Sequence, residues 1–460
     1  MGTSIDGLVS GLDTTALITS LMNVESIPRN LLSAKKDDTN NIISQLQTLN
    51  ASVQNLATQA QKASSRTALA RFTATSSSSA VTVTARSDAV PTAIDIVVDR
   101  VARAHTVVTA ASATWPEDPP VLTLENATGE RVQVTAASTS MTDVARAITA
   151  AGTGITATVV QAGTDADGTP ACRLQLTANE TGQAGSFHVY LGDPDAVAAG
   201  TATDVTTAPG GAVVTVGADA ELRLWAGTDA EQVVSSSTNT FTGVFPGIDV
   251  TVAEASTSRV KITVAPDSAA QTQVAGELIT QVASLLTRIA NGSTATVPDT
   301  PGTATTLGVF TGDSTVRALG QALADAIQHP VDGASPSTIG ISIDRYGALS
   351  FDAASFASAL ADDPERTQAI FAGIAGRVQD VSERYSDKYD GLLTSRITGQ
   401  QNEVTALGDQ IERWDVRLAR RQATLESTYA HLETMLSQLQ SQSSYLTSQL
   451  ASLPTWDTDS

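Results

Sequence analysis

The last stretch of the chain carries an aliphatic residue at every seventh position, nine times in succession: Ile397, Val404, Ile411, Leu418, Leu425, Leu432, Leu439, Leu446 and Leu453. A heptad repeat of this kind is one stripe of a long helix wound to meet a partner helix. At about 1.5 Å per residue it runs roughly 85 Å. No compact domain needs such a helix, so the pattern points to assembly before chemistry. Leu407, Trp414 and Met435 fill the companion row where it is apolar; beyond Leu436 that row turns to Gln442 and Gln449.

A shorter seam lies near the other end. Ile42, Leu46, Leu49, Val53, Leu56, Ala60 and Ala63 step by four and three, the spacing of an a/d seam. The simplest architecture closes the chain on itself, with Ile397 to Leu432 paired to Ile42 to Ala63. Ahead of this seam, Asp13 or Thr14 can cap a helix carrying Ala16, Leu17, Leu21 and Val24, which Pro28 breaks or kinks.

From about residue 71 the period changes to two. Val81, Val83 and Ala85 alternate with Thr82 and Thr84, and Ile94, Ile96 and Val98 repeat the pattern. So do Leu174 and Leu176, Leu222 and Leu224, Val250 and Val252, and Ile262 and Val264. Turn residues at 115–120, 126–129, 163–170 and 209–211 punctuate them, and a short helix is expected over Met141–Ala151. Helical spacing returns at Val274, Leu278, Val282, Leu285 and Ile289, then at Val316, Leu319, Leu323 and Ile327. A hairpin turns at Tyr346-Gly347. The terminal helical region starts near Ala353 and is expected to break around Pro364 and Gly373 before running to Leu453. Gly391, Gly399 and Gly408 read either as a flexible joint or as plain tolerance, each costing a helix about 1 kcal/mol against Ala.

The fold class is therefore α+β and multidomain: terminal helices form a discontinuous coiled-coil or bundled leg, with two inserted antiparallel β-rich head domains. The expected divisions are 1–40 and 437–460 as terminal helical tips, and 41–70 with 268–436 as the leg. One head domain takes 71–108 with 213–267, and a second, outer one takes 109–212.

Composition narrows the function. The chain has 460 residues and a formal net charge of −21, a balance against nucleic acid or an anionic membrane as partner. No stretch is apolar enough to span a bilayer, and no basic region precedes an apolar core at the N-terminus, so a cleaved secretory signal is not expected. Cys172 stands alone and reads as a small core residue. His105, His188, His329 and His431 have no ligand spacing. Asp165-Ala166-Asp167-Gly168 opens like a calcium loop, but Pro170 stands where glycine is needed and Leu176 where glutamate is needed. Asp362-Asp363 before Pro364 reads as a helix start. No Walker loop, nucleophile elbow or zinc spacing occurs. No catalytic residue, metal ligand or cofactor is expected, and the chain reads as a non-enzyme.

The N-terminal run Ser4-Ile5-Asp6-Gly7-Leu8-Val9-Ser10-Gly11-Leu12-Asp13, followed by Leu21-Met22 and Glu25 to Pro28, resembles the start of the bacterial flagellar filament cap family, flagellar hook-associated protein 2. The likeness continues in order through Ile94 to His105, Ser237 to Thr240 with Phe245-Pro246-Gly247-Ile248, and Leu307-Gly308 with Gly312-Asp313-Ser314. It ends at Gly340-Ile341 through Asp352 and Phe371-Ala372-Gly373. Residues 110–215 carry the least of it.

The resemblance implies a structural cap at the distal, extracellular tip of the flagellum. Such a cap forms a ring-shaped homo-oligomer, a pentamer or another size. It promotes folding and polymerisation of exported flagellin and prevents its leakage. The implied partners are flagellin and the flagellar type III export apparatus with its chaperone, which accounts for export without a cleaved signal. The leg seam is then Ile42, Leu46, Leu49, Val53 and Leu56 against Ile397, Val404, Leu407, Ile411, Trp414, Leu418, Leu425 and Leu432. Leu8, Leu12, Leu17, Leu21, Leu439, Leu446 and Leu450 are expected to touch the filament, because the companion row degrades after Leu436. The alternative in another class is a tip adhesin binding mucin or other surface glycans through the β-rich domains.

Overall fold

The computed structural model describes residue 11 and residues 13–164, 168–298 and 304–451. Two helices open it, α1 (Thr14–Glu25) and α2 (Ile27–Ser64). The β-rich region follows, with β1 (Phe72–Ser76), β2 (Val81–Ala85), β3 (Thr92–Arg100), β4 (Ala104–Val108), β5 (Val121–Asn126), β6 (Arg131–Thr135), α3 (Met141–Ala150), β7 (Ile155–Thr164) and β8 (Pro170–Thr181). It continues with β9 (Phe187–Leu191), α4 (Pro194–Ala198), β10 (Ala212–Thr215), β11 (Ala220–Leu224), β12 (Gln232–Ser236), β13 (Thr240–Phe245), β14 (Ile248–Val252) and β15 (Ser256–Pro266). Helix α5 (Ser268–Ser293) leads back to helices through a two-residue pair, β16 (Ala295–Thr296) and β17 (Thr306–Leu307). Then come α6 (Ser314–Gln328), the hairpin β18 (Ile341–Ile343) and β19 (Leu349–Phe351), α7 (Ala353–Asp362), α8 (Pro364–Ser386) and α9 (Leu392–Ala451).

The chain divides into two compact units, Met1–Ala68 with Thr272–Ser460, and Leu69–Gln271. The β unit has two cores. In the first, a five-stranded sheet ordered β1-β15-β3-β11-β12 and a three-stranded sheet β13-β14-β2, all antiparallel, bury Ile96, Leu222, Phe241, Val250 and Ile262. In the second, the sheets β10-β4-β8-β7 and β6-β5-β9 with α3 bury Leu122, Leu124, Ile148, Leu174, Leu176 and Phe187. Cys172 is half-buried against this second core. The alternation of Val and Thr supplies one buried face per strand. At Pro246-Gly247 a side chain is sterically impossible: φ is +68°, and a Cβ would stand 2.3 Å from the Ala89 nitrogen.

In the helical unit, α2 packs against both α8 and α9. α2 and α9 run antiparallel, as Lys35 pairs with Glu403 and Arg29 with Asp415. Asp13 caps α1, its carboxylate accepting from the Ala16 amide at 2.7 Å. The helix stops at Ser26, and Pro28 falls in the first turn of α2, where its missing N–H costs nothing. Asp363 caps α8 in the same way.

Two expectations change here. No break occurs at Gly373, because α8 runs through it. Glycine there serves packing: a Cβ would lie 2.6 Å from Val331 Cγ1. The real break falls between Ser386 and Leu392, where the Asp387 carboxylate accepts from the amides of Tyr389 and Asp390. The α2 seam is also shared between two partners. Beyond Lys35, α2 continues for about eight turns, whereas α9 extends only about three turns beyond Glu403 in that direction. The far end of α2 therefore meets α8, with Ser64 Oγ donating to Gln379 at 3.2 Å.

Candidate assembly surface

Position along α9 decides what each heptad residue touches. Near its start Leu393, Ile397, Gln400 and Leu407 are buried. Val404, Ile411, Trp414, Leu418 and Leu425 are half-buried. On α2, Leu46, Leu49, Val53 and Leu56 are buried, as are Ala60 and Ala63, while Ile42 is half-buried and Ile43 takes the fully inward place beside it. Leu432 leaves the seam: it is 42% exposed, and the adjacent Glu433 is buried instead. The reason is the mismatch between 3.5 and 3.6 residues per turn. A straight α-helix drifts about 20° per heptad against a strict seven-residue repeat. About ten full turns separate Ile397 from Glu433, so Glu433, rather than Leu432, stands in line with Ile397. Met435 is rotated out likewise, at 63% exposed.

Helix α1 and the first turns of α2 cover this middle part of α9. Arg421 reaches Glu25 at 3.3 Å and Arg29 reaches Asp415 at 3.0 Å. Past that cover, every residue from Ser437 to Ala451 is exposed. The heptad row surfaces here, with Leu439 57%, Leu446 60% and Leu450 68% exposed. On α1, Leu17 and Leu21 are exposed as well. Leu8, Leu12 and Leu453 lie outside the described residues.

Val24, Ile27 and Leu31, at 52% exposure or more, extend the apolar face of α1 into α2; of these, Ile27 and Leu31 were not singled out from the sequence. Their signal was present: Leu17, Leu21, Val24 and Leu31 follow helical three-four spacing across the Ser26 break.

Groups with titratable chemistry do not converge. His105 is buried in the β unit, where its Nδ1 accepts from the Gly217 amide at 3.2 Å; burial first, and His188 second, hold its pKa below the ordinary value. His188 meets Asp204 at 2.8 Å, and His329 Nδ1 lies 2.7 Å from the Asp325 carbonyl. Among the described residues no three His, Cys, Asp or Glu side chains form a metal-binding group. Residues 165–167, of the turn that opens like a calcium loop, lie outside them. No described helix is long and apolar enough to cross a membrane.

The chain is similar to known proteins in sequence and in fold. The model of the flagellar hook-associated protein 2 N-terminus matches residues 10–105, and that of its C-terminus matches residues 217–441. The interval 106–216 holds most of the second β core. The lateral flagellar hook-associated protein 2 of Vibrio parahaemolyticus serotype O3:K6 (strain RIMD 2210633) is 25% identical over 210 residues, 45% of this chain and 44% of that protein. That alignment thus spans less than half of the relative's length. The crystal structure of the D1-D2-D3 domains of the flagellar cap protein FliD from Escherichia coli superposes with a TM-score of 0.63 at 20% identity, covering 78% of this chain and 99% of that one. At that identity the likeness is one of fold. Neither relative is described as a glycan binder.

Proposed function

The chain belongs to the flagellar hook-associated protein 2 family, and from that premise we propose that it caps the growing end of a bacterial flagellar filament. In this reading it is a structural protein outside the cell. It promotes the folding and polymerisation of exported flagellin and prevents its leakage. It works as a ring-shaped homo-oligomer, with five subunits the first expectation, and leaves the cell through the flagellar type III apparatus with its chaperone. Residues 41–70 and 268–436 form the leg, 71–108 with 213–267 and 109–212 the two head domains, and 1–40 with 437–460 the tips that engage the filament.

One observation carries the reading. The two ends of the chain meet in one antiparallel bundle, and α9 then continues about four turns past it with Leu439, Leu446 and Leu450 uncovered. An exposed apolar row of that length marks a surface that meets a partner. Weak, polar flanks suit an end that must release and rebind as subunits are added. The test is truncation after Leu436 in cells lacking the full-length protein. The truncated chain should fold and be exported, while flagellin monomer accumulates in the medium. Filaments of normal length would refute the assignment of this segment.

A further inference from the structure

The ion pairs of α9 leave a remainder. Arg396, Glu403, Asp415 and Arg421 each find a partner elsewhere in the helical unit. Arg413, Arg417 and Arg420 do not, and all three are exposed. Their spacing of four and three places them on one face of α9, turned away from the line of Ile411, Trp414 and Leu418 that meets α1 and α2. Arg417 is held in place by stacking on Trp414, with its guanidinium carbon 4.5 Å from the ring centroid. Three unpaired guanidinium groups within eight residues are conspicuous in a chain of net charge −21.

The neighbouring face of the same helix has the opposite character. Asp409, Glu412 and Val416 follow three-four spacing and are centred about 70° round from the arginines, with Asp409 one turn before Arg413. Both carboxylates are exposed and unpaired, and Val416 is 50% exposed. A second copy lying parallel to the first would bring its Asp409 and Glu412 level with Arg413.

We propose that the stripe Arg413, Arg417 and Arg420 docks on the Asp409–Glu412–Val416 flank of α9 in a second copy of this chain. The proposal rests on the homo-oligomer reading above and gives that assembly its lateral contact. Unlike faces meet, so the contact is head-to-tail around an axis and can close into a ring. The charges set register and association rate more than depth of binding, so salt should weaken the contact.

Sedimentation velocity of the full chain, from about 20 mM to about 0.5 M salt, provides the test. The wild type should self-associate at low salt and dissociate as salt rises. The triple variant Arg413→Glu, Arg417→Glu, Arg420→Glu should associate about 100-fold more weakly, and so should Asp409→Arg with Glu412→Arg. A chain carrying all five reversals restores complementarity and should recover association. The triple Arg→Gln variant guards against like-charge effects within the helix and should lose association with an unchanged circular-dichroism melt. Self-association of the triple variants equal to wild type, or no recovery with all five reversals, overturns the proposal. So does intact self-association with failed filament growth, which would assign the arginines to the filament. A wild type that is monomeric at every salt concentration sinks the homo-oligomer reading itself.

Discussion

Truncating single residues along the α9 heptad row should give a graded loss of stability that ends where the row surfaces. Ile397 is 8% exposed. Ile397→Ala removes buried carbons and leaves a cavity, at a cost of about 2–4 kcal/mol. Leu432, at 42% exposed, loses part of a transfer contribution of about 2–3 kcal/mol and leaves no sealed cavity, so Leu432→Ala should cost about 1 kcal/mol. Leu439 and Leu446 retain only the cover that their own helix gives a side chain. Their alanine variants should lie within about 0.5 kcal/mol of wild type, since Ala is the better helix former. The assay is urea unfolding followed at 222 nm, where the long helices dominate, at a salt and protein concentration that keeps the chain monomeric. Filament growth in cells should run in the opposite order, with Leu439→Ala and Leu446→Ala impaired despite normal stability. If Leu439→Ala destabilised the monomer as much as Ile397→Ala, the distal row would be buried within its own chain. The division of α9 into a bundled half and a free half would then be wrong.

Two glycines of the helical unit should respond with opposite signs. Gly373→Ala forces a Cβ against the stiff side chain of Val331 and should destabilise by about 1–3 kcal/mol despite the gain in helix propensity; a raised melting temperature would contradict it. Gly399 has open space around its Cβ position, so Gly399→Ala should stabilise by about 1 kcal/mol and leave filament growth intact; impaired growth would restore the flexible-joint reading. In the β unit, His105 has a lowered pKa in the folded state, so the unfolded chain binds the proton first as pH falls. Its contribution to stability is full above about pH 6.5 and declines below that value toward the folded-state pKa. His105→Gln should flatten that decline in a pH series of thermal melts, and an unchanged slope would count against it.

Element types were legible because periodicity reports burial directly. The α2 seam, the α3 helix, the Val and Thr strands and the Tyr346-Gly347 hairpin each show a single spacing with a single dominant face. Partner choice was not legible. Leu46 and Ala63 belong to one seam in the sequence, yet the start of α9 at Leu392 puts Ala63 beyond its reach and beside α8. Gly373 reads locally as a breaker, and only the approach of Val331 from another segment shows it to be a packing residue. Ile27 and Leu31 escaped notice because the Ser26 break separates them from Leu17, Leu21 and Val24, whose stripe they continue.

A strict repeat of seven keeps one seam only if the helix supercoils. Here the covering element is itself broken at Ser26 into α1 and α2, so it cannot wind continuously around α9. The aliphatic row then advances in steps of seven and rotates outward, and Glu433, about ten turns beyond Ile397, takes the inward place. The same row can thereby stabilise the chain at one end and, among the described residues, remain uncovered at Leu439 and Leu446. Restoring heptad register by deleting Ser26 would not retain Leu432 in the seam unless α9 also changed its twist, because the drift is a property of α9 itself. The repeat therefore joins a bundled half to an uncovered half end to end, and the changeover falls between Leu425 and Glu433, where burial passes from the leucine row to Glu433.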